Sequence, residues 1–149
     1  MGGGSLMVWL AVGYGGRTSL VFLNGRQKYT DYIQVLNASD MGGEEWKFQQ
    51  DGASIHTATG VKDWFLTNNV DVLQWPAKSP DLNIVENIWA MLVRRFYADG
   101  RQFDSQTQLR EALNDSWDNF CQTEIQTLYN SLPNRIFEVI KANGKTIPY

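Results

Sequence analysis

Two carboxylates stand at turn-flanked positions in this chain. Asp51 lies in the stretch W-K-F-Q-Q-D-G-A-S-I-H-T-A from Trp46 to Ala58. Glu86 lies in W-P-A-K-S-P-D-L-N-I-V-E-N-I-W-A-M-L-V-R-R from Trp75 to Arg95. Carboxylates are hard oxygen donors, the kind that a magnesium-type cation takes in ones and twos alongside water. A carboxylate at the start of an apolar helix is also favoured simply by the helix dipole. Residue types alone therefore leave both readings of Glu86 open.

The elements that must position these acids follow from pattern. Val85, Ile88, Trp89, Leu92 and Phe96 recur at a helical period and define a buried face. Glu86 falls on another stripe, with Asn83, Ala90 and Arg94, and the small Ala90 leaves room for a ligand to approach. Asp51 follows an alternating strand, Trp46 to Gln50, and precedes a small-residue turn. Ahead of it, Leu6 to Tyr14 and Thr18 to Leu23 read as an antiparallel hairpin about Gly15-Gly16. Tyr29 to Leu36 reads as a short helix with Thr30 as its cap, and 37–45 as a loop. Thr57 to Asn68 is expected to be a helix with Val61, Trp64 and Phe65 inward. Val70 to Trp75 is expected to be a strand ended by Pro76. The Glu86 helix should stop at Asp99-Gly100.

The last third is helical by pattern. Asp104 or Ser105 caps a helix with Leu109, Ala112, Leu113, Trp117 and Phe120 on its apolar stripe. Thr123 and Gln126 form a capping box for a second, through Leu132. Pro133 starts a third, carrying Ile136, Phe137, Val139 and Ile140 and ended by Asn143-Gly144. Strands alternating with helices, then helices alone, give an α/β class with a helical C-terminal segment. The chain reads as one domain over 1–149, with a flexible start at 1–5, an α/β core over 6–98 and terminal helices over 104–143.

Composition narrows the function classes. A chain of 149 residues is one domain's worth and can bury about 70% of its unfolded surface. Hydrophobic content of 43%, with 6 Trp, 6 Tyr and 7 Phe, argues for a packed core. The single Cys121 excludes an internal disulfide and suits a reducing intracellular compartment. One histidine, His56, makes a multi-histidine zinc site implausible. No secretory leader or membrane-length apolar run is read. The net charge of −3 is unlike a freestanding DNA-binding domain. Metal ions can supply the missing positive charge locally, but tight DNA binding is not expected from this segment alone.

F-Q-Q-D-G-A-S-I-H-T-A and W-P-A-K-S-P-D-L-N-I-V-E-N-I-W resemble the second and third signature motifs of mariner-type transposases. Residues 52 to 85, 34 in all, lie between Asp51 and Glu86. That spacing resembles the branch of the Tc-one/mariner superfamily whose last two catalytic acids are Asp and Glu with 34 residues between. The likeness runs from M-G-G-G-S-L-M-V-W to R-I-F-E-V-I-K-A-N-G-K, essentially the whole chain. It implies a ribonuclease H-like mixed sheet flanked by helices, with Asp51 and Glu86 as catalytic metal ligands for Mg²⁺ or Mn²⁺. It also implies a two-metal site for nicking DNA at transposon ends and joining the freed 3′-hydroxyl to target DNA. His56, Lys78 and Arg94 are candidate DNA contacts, His56 alternatively orienting a ligand; Arg95 is a weaker one. For each, a structural polar residue or a solvated basic face is the competing reading.

The chain departs from the family pattern in places. Gly52 stands where Asn is usual and Ile84 where Pro is usual, and neither change removes a ligand. The family's first catalytic acid sits on a strand ahead of the Met7 strand, which would precede Met1. That first strand, its acid and the family's helix-turn-helix domains are therefore expected to be missing, leaving an exposed sheet edge. Asp31 and Asp40 are the nearest substitutes and poor ones by position. The expectation is an N-terminally truncated DDE transposase catalytic domain, nuclear by resemblance, inactive alone, and self-associating or completed by a partner's strand. The alternative is a non-catalytic domesticated or decaying remnant that binds nucleic acid or protein.

Overall fold

A computed structural model describes residues 5–39, 46–76 and 78–149. Where the sequence reads as one domain, the chain gathers into two compact units, because it leaves the first after Phe22 and returns to it at Pro80.

The first unit is organised on one helix, α4 (Ile84–Phe96). Its expected stripe is largely the observed one. Ile88, Leu92 and Phe96 are buried, joined by Ile84, while Val85 and Trp89 are half-buried at the margin. Against it packs an N-terminal hairpin. The outer pair is β1 (Met7–Trp9) with β4 (Val21–Leu23), and the inner pair is β2 (Val12–Gly13) antiparallel to β3 (Gly16–Arg17). The ladder is interrupted between them because Thr18 inserts its hydroxyl, which accepts from the Ala11 N–H at 2.9 Å. Leu10 and Leu20, beside the interruption, enter the core.

Three more helices complete this unit: α5 (Gln106–Asp118), α6 (Gln122–Asn130) and α7 (Leu132–Lys141). Leu113, Trp117, Phe120 and Ile125 meet the α4 stripe. Trp117 also donates its indole N–H to the Thr18 carbonyl at 2.9 Å. The Arg17 guanidinium lies 4.5 Å over the Trp117 ring and donates to the carbonyls of Phe120 and Asp118. The hairpin is thus tied to the end of α5 by a cation that donates to carbonyls at and just past the helix end.

The second unit holds α1 (Tyr29–Ala38), β5 (Lys47–Phe48), α2 (Ser54–Thr57), α3 (Thr59–Thr67) and β6 (Asp71–Val72). β5 and β6 are parallel, with Lys47 opposite Asp71 and Phe48 opposite Val72. The Leu73 N–H extends the ladder to the Phe48 carbonyl at 2.8 Å. Tyr32, Val35, Leu36, Phe48, Val61 and Phe65 are its buried residues. Gly60 permits a close approach: a Cβ there would stand 2.7 Å from the Tyr29 ring.

Several expectations are corrected. The strands expected over Trp46 to Gln50 and Val70 to Trp75 are ladders of two residues each. The helix expected over Thr57 to Asn68 is α3, which starts at Thr59 because Ala58 is extended at a ψ of 146°, and a separate short helix, α2, ends at Thr57. At α1 the Asp31 carboxylate accepts the Lys28 N–H at 2.7 Å, so Lys28 and not Thr30 is the cap position. At α6 the Glu124 carboxylate accepts the Cys121 N–H at 3.0 Å, displacing the box expected at Thr123 and Gln126. Ser105 caps α5, its hydroxyl accepting from the Gln108 N–H at 3.2 Å. On α7 the apolar residues Ile136, Phe137 and Ile140 are exposed, and Arg135 is buried instead. Asp40 and residues 1–4 lie outside the described residues. No helix among the described residues is long and apolar enough to cross a membrane.

Two measurements test this packing. Ile88→Ala removes side-chain volume at the centre of the first core and should cost about 2–5 kcal/mol in urea unfolding, whereas a loss under about 1 kcal/mol would contradict that placement. The second concerns Arg95, whose guanidinium hydrogen-bonds Glu124 and lies 4.7 Å over the Phe120 ring. That bond holds the Glu124 carboxyl below its ordinary range, helped by the Cys121 N–H and opposed by burial. A depressed folded-state value adds stability above the ordinary carboxylate range and loses it on acidification through the folded value. Arg95→Met should therefore be less stable than the parent at neutral pH, with the gap narrowing as pH falls through the carboxylate range.

Candidate active site

Each candidate acid is held by its own unit. Asp51 follows the short strand β5 by three residues and opens a turn through Gly52 and Ala53 into α2. Its Oδ1 accepts the Ala53 N–H at 3.1 Å, a local side-chain turn that aspartate makes readily. The same oxygen meets His56 Nδ1. His56 is itself fixed from two sides. Its ring lies 4.2 Å from that of Tyr32, and its carbonyl accepts from Gln50 Nε2 at 3.0 Å. The Tyr32 hydroxyl donates to Gln50 Oε1 at 2.8 Å, which closes the frame. Asp51 remains open to solvent, its side chain 65% exposed against 17% for His56.

Glu86 is the third residue of α4, in the first turn. Asn83 caps that turn, its Oδ1 accepting from the Val85 N–H at 3.2 Å. With Ile84 and Ile88 buried on one side, the helix geometry turns Glu86 outward, and it is exposed. The preceding single turn of 3₁₀ helix, Pro80–Leu82, carries a buried Asp81. Its Oδ2 accepts the Ile147 N–H at 3.0 Å. Its carbonyl accepts from Arg135 Nη1 at 3.0 Å. Asn83 thus caps the helix, and Asp81 anchors the turn before it.

The remaining candidates separate clearly. Lys78 is exposed at a positive φ of 58°. Arg94 is exposed in the last turn of α4, on the Glu86 side of the helix. Arg95 is committed to Glu124 and Phe120. Asp31 serves as the cap acid of α1. The Cys121 thiol is exposed. The sequence reading missed Arg135 and Asn87. A lone arginine inside the apolar run L-P-N-R-I-F-E-V-I was the available signal.

Two solvent-facing carboxylates are the hard-oxygen donor set that magnesium or manganese takes, so the residues fit such an ion chemically. Among the described residues no three histidine, cysteine or acidic side chains converge as a ready-made cluster.

A family model described as DDE superfamily endonuclease matches residues 4–110, which include both acids. The Tc3 transposable-element transposase of Caenorhabditis elegans is 32% identical over 154 residues, covering 99% of this chain and 47% of that protein. The Tcb1 transposable-element transposase of Caenorhabditis briggsae is 35% identical, covering 99% of this chain and 56% of that protein. The chain thus spans about half the length of these relatives. Among solved structures, the catalytic domain of the Mos1 mariner transposase aligns with a TM-score of 0.85 at 22% identity, covering 96% of this chain and 76% of that one. A Mos1 catalytic domain structure with raltegravir and Mn aligns with a TM-score of 0.84 at 21% identity, covering 96% of this chain and 78% of that one. The fold is therefore the ribonuclease H-like one of that domain. The chain belongs to the DDE superfamily endonucleases, and over nearly its whole length it is similar to transposable-element transposases of the Tc1 and Tc3 kind.

Proposed function

We propose that this domain serves divalent-metal-dependent cleavage and joining of DNA strands, with Asp51 and Glu86 as metal ligands. The observation that carries the reading is the pair itself: two solvent-facing acids, with 34 residues between them, inside the family-matched segment. Mos1 catalytic domain structures with Mn and with Mg concern that protein, and the present acids offer the same oxygen chemistry. Asp51 and Glu86 would hold such an ion, which would supply charge neutralisation and Lewis-acid chemistry for phosphodiester transfer.

The chain's own residues do the holding. The Asp51 carboxylate is kept from turning by the Ala53 N–H and by His56 Nδ1, both on Oδ1. His56 is thereby a ligand-orienting residue rather than a direct DNA contact. Glu86 is fixed by the capped start of α4. Lys78 and Arg94, exposed cations flanking the Glu86 stretch in the chain, are proposed to meet phosphates. With a net charge of −3, the domain would gain DNA affinity chiefly through the ion and through further segments or copies. Work on chromosomal DNA would place it in the nucleus. The resemblance implies three acids, of which Asp51 and Glu86 stand for the second and third.

Titration with Mn²⁺, followed by loss of the free-ion electron paramagnetic resonance signal, tests this. Asp51→Asn and Glu86→Gln should each weaken binding at least about tenfold, since even outer-shell changes cost 10–100-fold at metal sites. If both variants bind Mn²⁺ like the parent, the non-catalytic reading takes its place. In a nicking assay on transposon-end oligonucleotides, any Mn²⁺-dependent cleavage that survives both substitutions would assign the activity elsewhere.

A further inference from the structure

The most enclosed charged side chain among the described residues lies outside the acid pair. Arg135, on α7, is 2% exposed. Burial pulls its guanidinium below the ordinary arginine range, yet an arginine stays charged in proteins. A buried cation is tolerated only with partners of good geometry, and this one has them. Nε donates to Ser131 Oγ at 2.9 Å, within its own helix start. Nη1 donates to the Asp81 carbonyl at 3.0 Å and to Asn87 Oδ1 at 2.8 Å. The Tyr149 ring lies 4.5 Å from Cζ, and the Tyr149 hydroxyl accepts from Asn134 Nδ2 at 2.8 Å. Asp81 closes the cluster by accepting the Ile147 N–H.

The two Nη1 bonds bracket one turn. Asp81 lies before the Asn83 cap and Asn87 after it, so a single guanidinium nitrogen grips the start of α4 on both sides of Glu86. Successive helical residues are about 100° apart around the axis. Fixing the Asn87 side chain therefore fixes the direction in which its neighbour Glu86 points. Apolar side chains of similar size would hold α7 against the turn at no charge-burial cost. What they would lack is the directional hold on a carbonyl and an amide.

We infer that Arg135 is a positioning residue for Glu86, and that with Asp81, Asn87 and residues 147–149 it forms the platform that aims this carboxylate at its cation. The inference rests on the reading of Glu86 as a metal ligand. Arg135 touches neither ion nor substrate; it acts through the first turn of α4.

The test uses the 149-residue protein and Mn²⁺ alone. Arg135→Met should weaken Mn²⁺ binding about tenfold, as outer-shell changes do, and speed amide hydrogen exchange at residues 84–88 while that in α5 is unchanged. Arg135→Lys should not rescue binding, because an ammonium lacks the planar fork. Leu109→Ala, on α5, should lower Tm and leave Mn²⁺ affinity at the parent value. If Arg135→Met unfolds the protein, Asn87→Ala decides, and it should weaken Mn²⁺ binding in the same direction. Parent-like affinity in the folded Arg135→Met protein, or in Asn87→Ala, together with a loss in Glu86→Gln, overturns the inference and leaves the site reading intact. Parent-like affinity in Glu86→Gln overturns the site reading and the inference together.

Discussion

The structure of the first unit depends on one constraint: α4 cannot bury its apolar stripe without turning Glu86 to solvent. Ile84, Ile88, Leu92 and Phe96 lie one turn apart in succession and all are buried. Glu86 sits between the first two, about 160° round from Ile88 at the helical pitch. The hairpin, α5 and α6 all close on that same stripe. Core packing and presentation of the acid are thus one event, and a change that rotated the helix would damage both.

Asp51 is held by different means. It follows a ladder of only two residues and precedes a four-residue helix. Little regular structure is there to aim it. Its direction comes instead from a small polar frame in which Tyr32 braces Gln50, Gln50 braces His56, and His56 meets the carboxylate. One acid is aimed by a hydrophobic core and the other by a chain of hydrogen bonds that runs from Tyr32 on α1 through Gln50 and His56. The second arrangement is the more easily loosened, because each of its bonds competes with water.

Much of this was legible in the residues. The α4 stripe, the Ser105 cap and the apolar residues of α5 follow from period and cap chemistry, whereas α4 stops at Phe96, short of the expected Asp99-Gly100. The shortness of the strands was not legible, because the Thr18 hydroxyl that breaks the hairpin ladder is indistinguishable in sequence from a β-branched strand residue. Caps were misplaced at α1 and α6 because Lys28 and Cys121 are not cap types; there the acids Asp31 and Glu124 do the capping through backbone N–H groups. On α7 periodicity pointed to Ile136, Phe137 and Ile140 as the inner face, whereas the inner position is Arg135. A buried, fully partnered charge leaves no trace in a hydrophobicity pattern, since its partners Asp81, Asn87 and Ser131 are remote or polar. The acid pair was legible because its spacing is a property of the chain, whereas the frame around each acid exists only after folding.

The most direct test of the account is the position of a bound ion. Crystals of the domain soaked in Mn²⁺ and measured at the manganese absorption edge would locate it by anomalous scattering. The account predicts a peak at coordination distance, about 2–2.3 Å, from carboxylate oxygens of both Asp51 and Glu86. A manganese peak bound to one of these acids without the other, or carboxylates too far apart to share an ion in the soaked crystal, would contradict it.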